Sequence, residues 1–167
     1  MVGVEERLIE MFQYLPSMKY DASNPTLFPV VFGFGDDIEL NVFLNSKEND
    51  SSPYPLVWLL YPYKEKHFEH KVKVENMVLI LAVHTDKGMQ NPERLKTTYK
   101  NILIPLYDNI ATLLKKACIT NLEWSYDVEK HPNYGSGQES NGVFIWDALR
   151  CEFSITITDD CLKPITI

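Results

Sequence analysis

The residues able to do chemistry in this sequence are few. His67-Phe68-Glu69-His70 brings two imidazoles and a carboxylate together, and two His three apart can ligate zinc from one turn of a helix. The segment reads instead as a short connector between strands. No Asp, Glu or His follows it at motif spacing, and no H-E-x-x-H order is present. Asp36-Asp37 and Asp159-Asp160 are paired carboxylates that could share a proton or a metal. Both pairs fall where a strand is expected to end, and Asx-turn chemistry accounts for them. Gly33-x-Gly35 resembles the opening of a dinucleotide fingerprint, but the sequence predicts a turn and a second strand after it, not a helix, which excludes that use. Ser, Cys and His show no nucleophile-elbow or papain-like context. Cys118, Cys151 and Cys161 are an odd set without a C-x-x-C pair, read as reduced thiols and not as a disulfide framework. The expectation is no catalytic residue, no metal and no cofactor.

The aromatic and basic residues say more. Tyr54, Trp58, Tyr61, Tyr63 and Phe68 crowd one stretch punctuated by Pro53, Pro55 and Pro62. Core packing explains Trp58 and Tyr61. Tyr54, Tyr63 and Phe68 lie in polar surroundings, which fits either a small cluster under a loop or a protein contact, where aromatics are enriched. Lys64, Lys66, Lys71 and Lys73 make this the densest basic stretch of the chain. The candidate contact residues are therefore Tyr61, Tyr63, Lys64, Lys66, Phe68, Lys71 and Lys73, facing an acidic neighbour, another copy of the chain included.

These residues have to be positioned by a fold, and composition bounds it. At about 150 residues per domain, 167 residues predict a single domain spanning 1–167. Sixteen Lys and Arg against 23 Asp and Glu give a net charge of −7. That balance argues against broad nucleic-acid binding, which needs Lys/Arg-rich patches. Hydrophobic residues are 45% of the chain, enough to bury a core. The longest apolar run, Met77 to Val83, is far short of the ~20 residues that span a bilayer. The N-terminus has neither the basic start nor the apolar core of a signal peptide.

Along the chain, Val4, Leu8, Met11, Phe12 and Leu15 recur at helical spacing and Pro16 ends the helix. A turn-rich linker, 20–29, leads to a predicted hairpin: Val30–Phe34, a turn at Gly35-Asp36-Asp37, then alternating Ile38, Leu40, Val42 and Leu44. A mobile polar loop is expected at 45–55, a central strand at Leu56–Tyr61 and a long strand at Lys71–His84. Asn91 reads as a helix cap with Pro92 first in the helix. The stripe Leu95, Tyr99, Ile102, Leu103, Leu106, Tyr107, Ile110, Leu113 and Leu114 continues across Pro105 to about Cys118, a kinked helix roughly 40 Å long. A strand over 119–128, a mobile loop over 129–141 and a strictly alternating strand from Leu149 to Thr158 complete the chain. The predicted fold is α+β: a mixed, mainly antiparallel sheet of five to six strands, with the N-terminal helix and one long helix on one face.

Several strings match a known pattern: the helix ending Leu15-Pro16, then Phe28-Pro29-Val30-Val31-Phe32, then Asn101-Ile102-Leu103-Ile104-Pro105-Leu106 in the long helix, and Trp146-Asp147-Ala148-Leu149 opening the last strand. In this order the chain resembles the tail-terminator and head–tail completion proteins of tailed bacteriophages. The resemblance implies a structural virion protein of the neck or tail, made in the host cytoplasm. It implies rings, commonly hexameric, of the protein with itself, that cap the tail tube and meet tube or connector proteins, with no membrane involved. The genome would pass through the lumen without specific binding, and negative charge suits such a lumen. The family carries no catalytic residues. Two other classes remain open on the residues alone: a small ligand-binding or regulatory module, which needs a concave pocket with converging polar groups, and a metal-assisted hydrolase using His67, His70 and an acid from elsewhere.

Overall fold

Fifteen residues of strand, Lys71–Thr85 (β4), form the spine of the molecule. The computed structural model describes residues 3–19, 25–46, 55–85, 88–116, 120–134 and 145–158. Six strands form one sheet, ordered β1 (Val31–Gly35), β2 (Leu56–Leu60), β4, β6 (Ile145–Thr158) and β5 (Thr120–Tyr134), with β3 (Lys64–Phe68) also paired to β4. Strand β2 lies along Val78–Ala82 of β4 and β3 along Lys71–Glu75, so the two sit end to end on the same side of it. Every pairing is antiparallel except β1 with β2. The fold is the expected α+β class.

The parallel pair corrects the expected hairpin. Residues Asp37–Ser46 form a helix, α2, not a strand, and it carries the chain from the end of β1 back to the start of β2. Alternating apolar residues are also i,i+4 pairs, so the pattern alone fits both periods. In the helix Leu40 and Leu44 are buried, whereas Ile38 is 73% and Val42 62% exposed. The N-terminus settles the choice: Glu39 N–H donates to Asp36 Oδ1 at 2.8 Å, and Asp36 N–H donates to Glu39 Oε2 at 2.9 Å. This reciprocal box satisfies two otherwise orphaned donors. Asp36 and Asp37 are thus a cap and a first helical turn.

Gly33-x-Gly35 is consequently followed by a helix, contrary to the expectation. It still cradles no dinucleotide. A Cβ at Gly33 would stand 2.5 Å from Trp58, so the glycine exists to admit the indole, and Gly35 has φ +149, with Glu39 where a Cβ would go. The acidic first turn of α2 repels phosphate.

Each sheet face buries its own cluster. On one face, Leu59, Leu79, Leu81, Leu149, Cys151, Phe153 and Ile155 meet α1 (Val4–Phe12) and the long helix 91–116. On the other, Trp58, Val78, Ile80, Trp146 and Ala148 meet Leu40 and Leu44 of α2. The long helix comprises α3 (Asn91–Arg94), a π-helical segment (Leu95–Leu103) and α4 (Ile104–Lys116). Its cap is Gln90, one residue before the expected Asn91. The wide turn lies immediately before Pro105, and Ile104 N–H donates to Tyr99 O five residues back, so the apolar phase survives a proline that has no N–H to give. Leu95, expected in the buried stripe, is 41% exposed, and the buried residue at that end is Arg94.

Two further expectations change. The connector around His67 is strand β3, and residues 129–134, expected as loop, continue β5. Residues 47–54 and 135–144, and with them Tyr54, lie outside the described residues, as do Cys118, Cys161 and Asp159-Asp160.

Phe153 is 1% exposed. Truncating Phe153→Ala should cost about 3–5 kcal/mol in a denaturant titration, and a loss below about 1 kcal/mol would place it outside the core.

Candidate functional site

The seven contact residues fall on one supersecondary unit. Strand β3 turns through Glu69 and His70 into β4, with Phe68 paired to Lys71. Strand alternation then divides the set between two faces.

Tyr61 and Tyr63 go to the face that packs on α1. Both hydroxyls donate to Glu5 Oε1 at 2.5 Å. Phe12, Phe32, Phe34, Tyr61 and Tyr63 form a continuous series of ring contacts with successive centroids 5.0, 6.4, 6.1 and 5.5 Å apart. This ties the hairpin base to α1 and β1. Partial burial raises the Glu5 carboxyl, but the hydrogen bonds from Tyr61 and Tyr63 outweigh it and hold the group below its ordinary value. Burial, then the Glu5 contact, raises both phenols. These two tyrosines are anchors.

Lys64, Lys66, Phe68, Lys71 and Lys73 share the opposite face. Lys66 Nζ lies 2.9 Å from Glu75 Oε2, and Lys73 Nζ lies 3.0 Å from Glu75 Oε1. Their hydrogen bonds, Lys66 first, hold the Glu75 carboxyl low. Lys71 Nζ stands 5.1 Å from the centre of the Phe68 ring, a cation–π distance. The face therefore carries four lysines and a half-exposed phenylalanine against one carboxylate.

His67 is on the anchor face, 2.7 Å from Glu65 Oε2, and His70 is in the turn, 3.8 Å from Glu69 Oε1. A strand and a turn therefore hold this pair, not the one turn of helix considered for it. Among the described residues no three His, Cys, Asp or Glu side chains gather as a metal site. Cys151 is buried, which pushes its thiol up to about 12, far from the thiolate that reacts or binds metal at neutral pH.

A polar pair absent from the expected site lies at the other end of the sheet. Arg94 Nη1 meets Asp147 Oδ1, with side chains 3% and 0% exposed, and Arg94 Nε donates to Met89 O at 2.9 Å. Tyr99 lies close enough that burial and then the Asp147 charge raise its phenol. Parity could have found the acid: Asp147 occupies the same strand face as Leu149, Cys151, Phe153 and Ile155. The pair fastens the start of the long helix to β6.

Among the described residues no helix is long and apolar enough to cross a membrane. No protein-family model and no curated protein matches the chain.

Two outcomes follow from this geometry. With Glu5 held low in the folded protein, the unfolded chain takes up this proton first as pH falls. The stability from Glu5 is therefore present above the ordinary carboxylate value and lost as pH drops through the lowered one. Glu5→Gln should flatten the acid limb of a stability–pH curve, and an unchanged limb would remove Glu5 from the account. Replacing His67 and His70 together by Ala should shift stability by less than about 0.5 kcal/mol. Stoichiometric metal lost on that replacement, by elemental analysis of protein purified without added metal, would establish a site there.

Proposed function

We propose that this chain is a non-catalytic structural subunit of a phage neck or tail, assembling with copies of itself into a ring that ends the tail tube and meets the connector. The observation that supports the reading is the β3–β4 hairpin. Its base is anchored to α1 through Glu5, and its lysine face lies on the opposite side of the sheet from α1, exposed, in a chain that carries a charge of −7. A closed ring uses two different patches per subunit, one meeting the other on the next copy, and a basic projection on an acidic protein supplies one of them. The perturbed groups Tyr61, Tyr63, Tyr99 and Cys151 are shifted by burial within the packing, which fits scaffold use better than acid–base work. The sequence resemblance to tail-terminator and head–tail completion proteins adds the place of assembly.

Native mass spectrometry and sedimentation test this. Lys66 and Lys73 both pair with Glu75, so the charge reversal is made at Lys64 and Lys71. Wild type should form a closed oligomer that loosens with salt, because screening acts over about 10 Å at 0.1 M. Lys64→Glu with Lys71→Glu should weaken it without unfolding the monomer. A wild-type chain that stays monomeric at every concentration overturns the reading.

A further inference from the structure

Among the described residues, helix α2 carries the most exposed large apolar side chains outside the core. Ile38 is 73% and Val42 62% exposed, and at i,i+4 they adjoin on the side opposite Leu40 and Leu44. Exposed acids, Asp36, Asp37 and Glu39, rim the pair at the start of the helix. The backbone donors there are already used, since Glu39 N–H is bound to Asp36 and Asp36 N–H to Glu39. Asp37 in turn pairs with the Tyr134 hydroxyl, and with all three acids exposed the end is an apolar patch with an acidic border.

The lysine face of the hairpin is its complement. Phe68 is 48% exposed, Lys71 lies over its ring, Lys66 and Lys73 come next on the same face, and Lys64 lies beyond them at the base. Both patches pair an apolar centre with a charged rim, of opposite sign. Within one molecule α2 starts beside the hairpin base, since Tyr61 N–H donates to Gly35 O at 2.9 Å, whereas Phe68 lies at the hairpin tip. Nucleic acid is the other anionic class a lysine-rich hairpin could face, and a chain of charge −7 repels it.

We infer that the lysine face of the β3–β4 hairpin docks on helix α2 of a second copy of this chain, with Phe68 against Ile38 and Val42 and the lysines against the acidic first turn. The inference rests on the self-assembly proposed above and assigns the surface that receives the hairpin.

The test is a charge swap in the full chain that leaves the Asp36–Glu39 box untouched. Ile38→Lys with Val42→Lys places cations opposite the hairpin lysines, and Lys64→Glu with Lys71→Glu reverses the hairpin. In sedimentation velocity at low salt, each pair alone should weaken self-association about tenfold or more, and all four together should restore it to within about threefold of wild type. Circular dichroism checks that each monomer is folded. Should the lysine pair on α2 not fold, Ile38→Ser with Val42→Ser tests the same patch and should also weaken association. Association indifferent to both α2 pairs, or not restored by the swap, overturns this contact and leaves self-assembly standing. A wild type monomeric throughout overturns both. A short DNA duplex bound by a monomeric chain, and released by Lys64→Glu with Lys71→Glu, overturns the contact in favour of nucleic acid.

Discussion

Strand β4 has to keep one face buried along fifteen residues while its neighbour on one side changes from β3 to β2. Strict alternation forbids this here, because Val72 and Val74 are even-numbered and Met77, Leu79, Leu81 and Val83 are odd, yet all belong to the same cluster. The register with β6 slips between Val74 and Met77, and Asn76 sits there at φ 57. Asparagine is among the few residues that enter this left-handed region readily, and the bulge it forms resets the parity. Everything about the hairpin follows. Beyond the bulge Lys71, Lys73 and Glu75 are turned out on one side, and β3 copies that division in register. The tyrosines at its base reach Glu5, and the lysines face away.

The opposite end of the sheet is held differently. Arg94 and Asp147 are fully desolvated, and a buried ion pair gains little over an apolar substitute, although losing one partner costs about 3–5 kcal/mol. The use of such a pair is to specify position. The long helix otherwise packs mainly through apolar side chains, which specify position less strictly than a buried cation that meets a carboxylate. The same residue also donates to Met89 O, so the chain entering the helix is fastened along with it. One end of the molecule is locked by a buried charge pair, and the other projects exposed charge.

Much of this was legible in the sequence. The strict alternation from Leu149 to Thr158 is strand β6, the long stripe across Pro105 is one continuous helix, and the run Leu56–Leu60 is central. The misreadings have physical causes. Ile38, Leu40, Val42 and Leu44 satisfy period two and i,i+4 together, and the deciding information was the Asp36-x-x-Glu39 capping pair, read as a turn. Strand β3 was missed because Lys-Glu-Lys-His-Phe has no buried side, so no hydrophobic period marks it. Leu95 displaced Arg94 from the expected core because a charged residue is taken as solvated by default. Only the parity of Asp147 across the sheet reveals that a cation must be buried with it. The contact set was assembled from composition, and a linear reading does not show that Tyr61 and Tyr63 face away from the lysines.

That division also bears on the self-assembly proposed above. Among the described residues β3 pairs only with β4, β1 only with β2 and β5 only with β6, so each of the three leaves an outer backbone edge. The edges of β3 and β5 are poor templates. Lys64, Glu65, Lys66 and His67 line one with charge and polarity, the usual protection of an edge strand, and Pro132 removes an N–H from the other. Edge-to-edge pairing would depend on backbone groups common to every sequence and would extend without limit unless the rotation happened to close. A contact through the side-chain face of the hairpin depends instead on which residues meet, weakens with salt and carries its own register. For the self-assembly proposed above, an acidic chain is better served by the face than by the edge.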